Sequence, residues 1–282
     1  MTNPSTAAVD RYAVIGNPVA HSLSPAIHAR FAVACGQSLV YERLLAPVDG
    51  FAAAVMAFRA AGGRGLNVTV PFKREAAAFA DRLSDRARHA GAANTLGFDE
   101  DGTWADNTDG LGLVADLQGR LGMSLAGARL VLLGAGGAAR GVVEPLLGAG
   151  IETLVVVARR PDQAAELVDG FRDPRLAAGG FEDLARLRAD LAVNATSAGL
   201  AGASLPVSAA FWPSLRLAYD MVYGAEPTPF MEAARAGGCA RVSDGLGMLV
   251  EQAAESFAMW RGVRPPTAQV FAEVRAGISP RD

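Results

Sequence analysis

The sequence predicts an α/β protein, with mainly parallel sheets joined by helical crossovers. Three observations carry that expectation. The chain has 282 residues, enough for two domains or one large one. Short apolar runs alternate with helix-like stretches along most of it. From residue 129 an apolar strand without alternation, of the kind found inside parallel sheets, runs straight into a glycine-rich turn and a helix.

Taken in order, Tyr12–Ile15 reads as a strand. Ser24-Pro25 then supplies an N-cap with proline at the first helical position, opening a helix to about Cys35. Leu39–Leu45 is a second strand and Val48–Ala61 an alanine-rich helix. Gly65–Val70 is a third strand, with a helix starting at or just after Lys73 and another over Ser84–His89. Thr95–Phe98 and Thr103–Ala105 form a hairpin turning at Glu100-Asp101-Gly102. A helix from about Asp109 to Leu121 leads into the strand Arg129–Leu133, the glycine-rich turn and a helix to about Leu147. Further strands are expected at Leu154–Val157, Leu191–Asn194, Leu215–Met221 and Ala240–Val242. Leu246–Trp260 and Thr267–Ala276 carry apolar residues at helical spacing.

Composition narrows the function. The net charge of −3 and the scattered arginines offer no basic stripe for a nucleic acid. Cys35 and Cys239 have no metal-ligand spacing and form no disulfide framework, so no metal is expected and a reducing compartment is the default. No apolar run approaches the roughly 20 residues needed to cross a bilayer, and the first residues lack a basic-then-apolar leader pattern. A cytoplasmic protein with neither a nucleic-acid nor a membrane partner is expected from these features.

The turn after Arg129–Leu133 is Gly134-Ala135-Gly136-Gly137-Ala138-Ala139. A Gly-x-Gly-x-x-Ala pattern between a strand and a helix is the dinucleotide fingerprint of a Rossmann-type, doubly wound domain. The first glycine makes the turn, the second admits a pyrophosphate, and Ala139 permits close helix–strand packing. The helix N-terminus offers free N–H groups to the phosphates. At the end of the next strand an acidic residue would read the ribose 2′-hydroxyl of NAD. Ala158-Arg159-Arg160 stands there instead, and two guanidinium groups suit a 2′-phosphate. NADP is therefore favoured, although an arginine such as Arg160 is also an ordinary surface residue.

Polar residues cluster at the ends of short elements in the first half. Lys73 ends Asn67-Val68-Thr69-Val70-Pro71-Phe72-Lys73, Asn94 lies in Gly91-Ala92-Ala93-Asn94-Thr95, and Asp109 in Asp106-Asn107-Thr108-Asp109-Gly110. A lysine, an asparagine and an aspartate so placed can converge on a polyhydroxylated molecule. The hydroxyls of Ser22 and Ser24, in Gly16-Asn17-Pro18-Val19-Ala20-His21-Ser22-Leu23-Ser24-Pro25, can take a carboxylate. Hydride transfer to a ketone generates an alkoxide that needs a proton donor and electrostatic support, both of which Lys73 can supply. Each residue alone has a plainer reading: a solvated lysine, or in Asp109 a helix N-cap.

These stretches, with Asn194-Ala195-Thr196-Ser197-Ala198-Gly199-Leu200, Asp220-Met221-Val222-Tyr223 and Asp244-Gly245-Leu246-Gly247-Met248-Leu249-Val250-Glu251-Gln252, resemble the shikimate dehydrogenase family from Tyr12 to Val270. The resemblance implies reversible NADPH-dependent reduction of 3-dehydroshikimate to shikimate, a step in making aromatic amino acids through chorismate. It implies Lys73 and Asp109 as the catalytic pair. Ser22, Ser24, Thr69 and Tyr223 would hold the substrate carboxylate, Asn94 and Gln252 the ring hydroxyls, with Asn67 beside them. For the cofactor it implies Gly134, Ala135, Gly136, Gly137 and Ala138 at the pyrophosphate and Arg159 at the 2′-phosphate, with Ala158 and Arg160 on either side read as cofactor-binding from the residues themselves. Asp85, Thr196, Ser197, Met221 and Gly245 would complete that site. His21 and His28 are assigned positioning or packing only.

The implied division is a substrate domain of residues 1–108 with 244–282 folded back, a dinucleotide domain of 109–243, and a cleft between them, in a monomer or homodimer. The chain departs from the family where Ala158-Arg159-Arg160 replaces Asn-Arg-Thr, where Ala29 replaces an asparagine, and where Gly224-Ala225 follows Tyr223 in place of Asn-Pro. The last change is expected to loosen that loop. The nearest rival is a relative that also takes quinate, often with NAD; the paired serines and the basic residues at 159–160 argue against it. A non-catalytic metabolite-binding regulator on the same fold would be expected to lose Lys73 or Asp109, and both are present.

Overall fold

The computed structural model describes residues 9–278. Its chain divides into two compact units. Of the described residues, one unit takes in those up to Arg88, Ala92–Asn107 and Ala253–Val270; the other takes in His89–Gly91, Thr108–Gln252 and 271–278. The sequence expectation puts the return crossing at residues 243–244, whereas the contacts put it at 252–253 and divide the last helix between the units at 270–271.

The first unit runs β1 (Asp10–Gly16), α1 (Ser24–Ala34), β2 (Leu39–Leu45), α2 (Phe51–Ala60), β3 (Gly63–Val68), α3 (Lys73–Phe79), β4 (Arg82–Leu83), α4 (Asp85–Ala90), β5 (Thr95–Asp99) and β6 (Gly102–Asp106). These strands form one sheet in the order β2-β1-β3-β5-β6-β4. β1 is parallel to β2 and β3. The β5–β6 hairpin then joins β3 antiparallel, and β4 closes the edge parallel to β6. Its turn uses Gly102 at φ +116°, a conformation that side chains other than glycine rarely adopt. Ile15, Phe51, Val55, Leu66, Val68, Phe72 and Leu96 form the buried core.

The second unit runs α5 (Asp109–Gln118), β7 (Arg129–Leu133), α6 (Gly137–Gly148), β8 (Thr153–Val157), α7 (Pro161–Phe171), β9 (Leu176–Gly179), β10 (Leu191–Asn194), β11 (Leu217–Asp220), α8 (Pro229–Ala236) and β12 (Val242–Ser243). α9 (Leu246–Arg261) and α10 (Thr267–Ala276) follow. The sheet order is β12-β11-β10-β7-β8-β9, and all five pairings are parallel. The chain winds outward from β7 through β8 and β9, then returns to the other side of β7 through β10, β11 and β12. That reversal makes a topological switch point beside β7, where doubly wound sheets take their ligands. No helix of the described residues is long and apolar enough to cross a membrane.

Four elements lie where the sequence pattern predicts none: β4, which is only two residues long, α7, β9 and α8. α7 buries only Ala164 and Leu167, too thin an apolar stripe to read. β9 is a four-residue edge strand, Leu-Ala-Ala-Gly. α8 has a readable start, because Thr228 accepts from the Met231 N–H at 3.3 Å with Pro229 next in line.

Within the first unit Trp260, on α9, is held against the sheet. It stacks on Tyr12 with ring centroids 4.7 Å apart and donates from Nε1 to the Leu96 carbonyl at 3.0 Å. A Cβ on Gly65 would lie 2.5 Å from that nitrogen, so the glycine in β3 is what admits the indole. Trp260→Ala is expected to destabilise the first unit by about 3–5 kcal/mol. Urea unfolding would measure it, and a loss below about 1 kcal/mol would show that this contact does not fasten the helix.

Candidate active site

In the first unit a set of backbone hydrogen bonds gathers four segments at the C-terminal ends of β1 and β3. Thr69 N–H donates to the Ile15 carbonyl at 2.9 Å and Asn17 N–H to the Val70 carbonyl at 3.0 Å. Val68 N–H donates to the Asn94 carbonyl at 2.7 Å, Asn94 N–H to Asp106 at 3.0 Å, and Ala93 N–H to Lys73 at 2.8 Å. Gly16 makes the crossing possible, since a Cβ there would stand 2.4 Å from the Thr69 methyl. The serine loop, Thr69, Lys73 and Asn94 therefore share one end of the sheet. Lys73 is half-buried as the first residue of α3, and Asn94 is buried.

The serine loop is braced from both sides. Arg43 on β2 donates to the Ser22 carbonyl at 2.7 Å, and the Ser22 hydroxyl accepts from Ser24 N–H at 3.3 Å. Ser24 was expected as the N-cap, but the helix starts with it and Leu23 takes the cap position. The Ser22 hydroxyl meets that free N–H instead, two residues before the position the pattern implies.

Below the loop lies a buried aromatic stack. His28 is fully buried, with its ring 4.1 Å from that of Tyr41 and tilted by only 7°. Phe31, Phe257 and Trp260 enclose it. Among the described residues neither ring nitrogen has a hydrogen-bond partner. Burial holds the imidazole pKa down to about 3; Asn67 pulls the other way, but its amide is engaged by Tyr41 and Ser256. Burial likewise pushes the Tyr41 phenol well up, opposed by Ser24. His28 is thus a neutral packing residue, as expected, while His21 is exposed.

In the second unit Gly134 ends β7 at φ +108°, with its N–H on the Val157 carbonyl at 2.7 Å. A Cβ there would lie 3.2 Å from the Thr196 methyl, so the glycine turn and the Thr196 loop adjoin. Gly136 precedes the 12-residue helix α6, and Gly137 and Ala138 open it. No side chain caps this helix, so its first N–H groups can face an anion. Ala135 is partly buried, and Ala139 fully so against the strand. Ala158 is buried at the end of β8, while Arg159 and Arg160 are exposed with guanidiniums unpaired among the described residues. Two free cations beside an open glycine turn fit a 2′-phosphorylated dinucleotide.

Asp220, fully buried at the end of β11, organises the neighbouring loops. Its carboxylate accepts from Thr228 at 2.6 Å, Val222 N–H at 3.0 Å and Asn194 at 3.1 Å. Burial nevertheless raises its pKa. Asn194 in turn accepts from both the N–H and the hydroxyl of Thr196. Ser197 is exposed just beyond. A Cβ on Gly245 would lie 2.2 Å from the Met221 carbonyl, so these two backbones touch. Tyr223 is half-buried, and Arg275 on α10 donates to the adjoining Gly224 carbonyl at 3.1 Å while pairing with Asp244. This arginine links the Gly224 loop to α10.

Asp109 is buried as the first residue of α5; Thr108, not Asp109, takes the N-cap position. The Thr108 hydroxyl donates to the Gln252 carbonyl at 3.1 Å, placing Gln252 near the start of α5. Asp85 is exposed and paired with Arg88. Asn67 is buried, with its amide oxygen accepting from Tyr41 at 2.7 Å and its nitrogen donating to Ser256 at 2.9 Å. Sequence reasoning did not single out Tyr41, Thr95, Thr108, Asp220 or Ser256. Thr95, Thr108 and Asp220 lie within the quoted motif stretches, the one signal that could have found them.

Three comparisons bear on this architecture. The family model described as the shikimate dehydrogenase substrate binding domain matches residues 14–96. Those for shikimate / quinate 5-dehydrogenase and the shikimate 5′-dehydrogenase C-terminal domain match 116–201 and 245–275. A shikimate dehydrogenase (NADP(+)) of Dechloromonas aromatica is 56% identical over 270 residues, covering 95% of this chain and 98% of that one. Among solved structures, an Ael1 enzyme from Pseudomonas putida is similar at TM-score 0.91 and 46% identity, over 94% of this chain and 97% of the other. A shikimate 5-dehydrogenase from Thermus thermophilus, in complex with NADP(H) and shikimate, is similar at TM-score 0.86 and 36% identity, over 96% and 100%.

The buried His28 ring gives a pH signature. Its pKa is about 3 in the fold against 6.5 when unfolded, so between those values only the unfolded chain binds the proton. Its contribution is complete above pH 6.5 and lost progressively as pH falls toward 3. Denaturant midpoints compared at pH 7 and pH 5 are expected to drop more for the native chain than for His28→Phe. Equal drops would mean that the ring takes up its proton inside the fold.

Proposed function

The chain belongs to the shikimate dehydrogenase family, and from that premise we propose how its residues reduce 3-dehydroshikimate to shikimate with NADPH, and run the reverse oxidation. The observation that carries the assignment of roles is the gathering of Ser22, Ser24, Thr69, Lys73 and Asn94 at one end of the first sheet by backbone hydrogen bonds.

The substrate is a small carboxylic acid bearing ring hydroxyls. Ser22, Ser24 and Thr69 donate hydroxyl hydrogen bonds to its carboxylate, with Tyr223 as a further donor. Bonds to a charged group are about twice as strong as neutral ones, which suits hydroxyls to this task. Asn94 and Gln252 fix the ring hydroxyls, and Asn67 supports Asn94 from behind. NADPH, when bound, supplies the hydride. Lys73 gives a proton to the oxygen that becomes a hydroxyl and offsets its developing charge. Asp109 accepts a hydrogen bond from a neighbouring substrate hydroxyl.

For the cofactor, the turn Gly134–Ala138 and the start of α6 hold the pyrophosphate. Ala158 leaves room at the end of β8 for Arg159 and Arg160 to meet the 2′-phosphate. Thr196 and Ser197 border the site, and the backbones of Met221 and Gly245 receive the nicotinamide amide.

Lys73→Met is expected to lower kcat at least roughly a thousandfold while changing KM for shikimate only modestly, because donor and charge stabiliser are lost together. Steady-state kinetics in the oxidation direction reads both constants. Retention of more than a tenth of kcat would make the lysine a binding residue only.

Arg159→Asp replaces attraction for the 2′-phosphate with repulsion. A large rise in KM for NADP is expected, with the NAD reaction little affected. Unchanged NADP affinity in a binding titration would place the phosphate elsewhere.

A further inference from the structure

Behind Asn94 runs a buried chain of side-chain hydrogen bonds. The Tyr41 hydroxyl donates to Asn67 Oδ1 at 2.7 Å, and Asn67 Nδ2 donates to the Asn94 backbone carbonyl at 3.3 Å, an acceptor only, which fixes the orientation of that amide. Asn67 Nδ2 therefore faces the other way and donates to Ser256 Oγ at 2.9 Å and Thr95 Oγ1 at 3.4 Å. Thr95 Oγ1 lies 3.0 Å from Asn94 Oδ1, and 3.4 Å from Ser256 Oγ. Thr95 and Ser256 are fully buried, and Asn67 and Asn94 nearly so.

A threonine hydroxyl has one proton to donate and two lone pairs to receive with. The Thr95 oxygen receives an N–H from Asn67, and its nearer acceptor is the Asn94 oxygen. Donation thus runs in one direction, Tyr41 to Asn67 to Thr95 to Asn94. A reversed Asn67 amide would set its oxygen 3.3 Å from the Asn94 backbone carbonyl, and a reversed Asn94 amide would leave the Thr95 proton only the longer contact to Ser256 Oγ at 3.4 Å.

We propose that Thr95 is a positioning residue for the reaction: its hydroxyl orients the Asn94 amide so that the NH₂, not the carbonyl, is turned to the substrate ring. Tyr41, Asn67 and Ser256 hold Thr95 in that role. The proposal rests on the reading above that Asn94 contacts the substrate. An NH₂ at this position donates equally to a carbonyl oxygen and to a hydroxyl oxygen. It therefore serves both the ketone and the alcohol of a reversible reaction, whereas an amide carbonyl would repel the ketone.

The test compares Thr95→Val, which keeps the shape and removes the hydroxyl, with Thr95→Ser, which keeps the hydroxyl. Thr95→Val is expected to raise KM for 3-dehydroshikimate about tenfold and leave KM for NADPH unchanged; one such hydrogen bond is worth about that factor. Thr95→Ser should recover most of the loss. Ser256→Ala, on the far side of the chain, should give a smaller rise of the same kind. In an Asn94→Ala background Thr95→Val should add nothing further, because both changes remove the same contact. Equal effects of Val and Ser at position 95, or a full further loss in that background, would overturn the proposal. If Asn94→Ala alone left KM unchanged, the substrate contact of Asn94 would fall first, and the proposal with it.

Discussion

The peptide of Asn94 is the constraint on which the first unit's polar cluster depends. Its N–H is fastened to Asp106 and its carbonyl to Val68 N–H, while the preceding N–H is fastened to Lys73. One residue thus ties the end of β3, the end of β6 and the start of α3. A strand-end amide ordinarily turns to solvent, but here it is buried and must be paired. The same pairing that satisfies the backbone sets where the lysine leaves the sheet, so a shift of this peptide would displace Thr69, Lys73 and Asn94 together.

The second unit reaches a comparable result by different means. An all-parallel sheet leaves its loops at the C-terminal strand ends, and the reversal of winding beside β7 opens a space there. Asp220 then unites two of those loops through Asn194, Thr228 and the Val222 N–H. A carboxylate fully out of water is tolerated because three donors surround it. Each unit places a buried polar hub beside the strand ends where its loops gather.

Much of this was legible in the sequence because it is local. The apolar runs gave most strands within a residue or two, and the glycine pattern was read correctly because a strand precedes it and a helix follows. α7 and β9 were not legible, because each buries too few apolar residues to show a period. The positions of Lys73, Asn94 and Asp109 at element ends could be read from motif spacing. Their supports could not. Asn67 and Ser256 are 189 residues apart in the chain, and nothing near either one announces the hydrogen bond between them. Ser24 shows the same limit at short range, since it sits one residue inside the helix whose cap the sequence pattern makes it.

The central claim is the reaction itself, 3-dehydroshikimate with NADPH and its reverse. The most direct measurement follows nicotinamide absorbance with shikimate and quinate each offered against NADP and NAD. Turnover should be fastest with shikimate and NADP, with quinate and NAD each lowering kcat/KM by orders of magnitude. Quinate turned over as well as shikimate, NAD preferred to NADP, or no turnover in any of the four combinations would contradict the account.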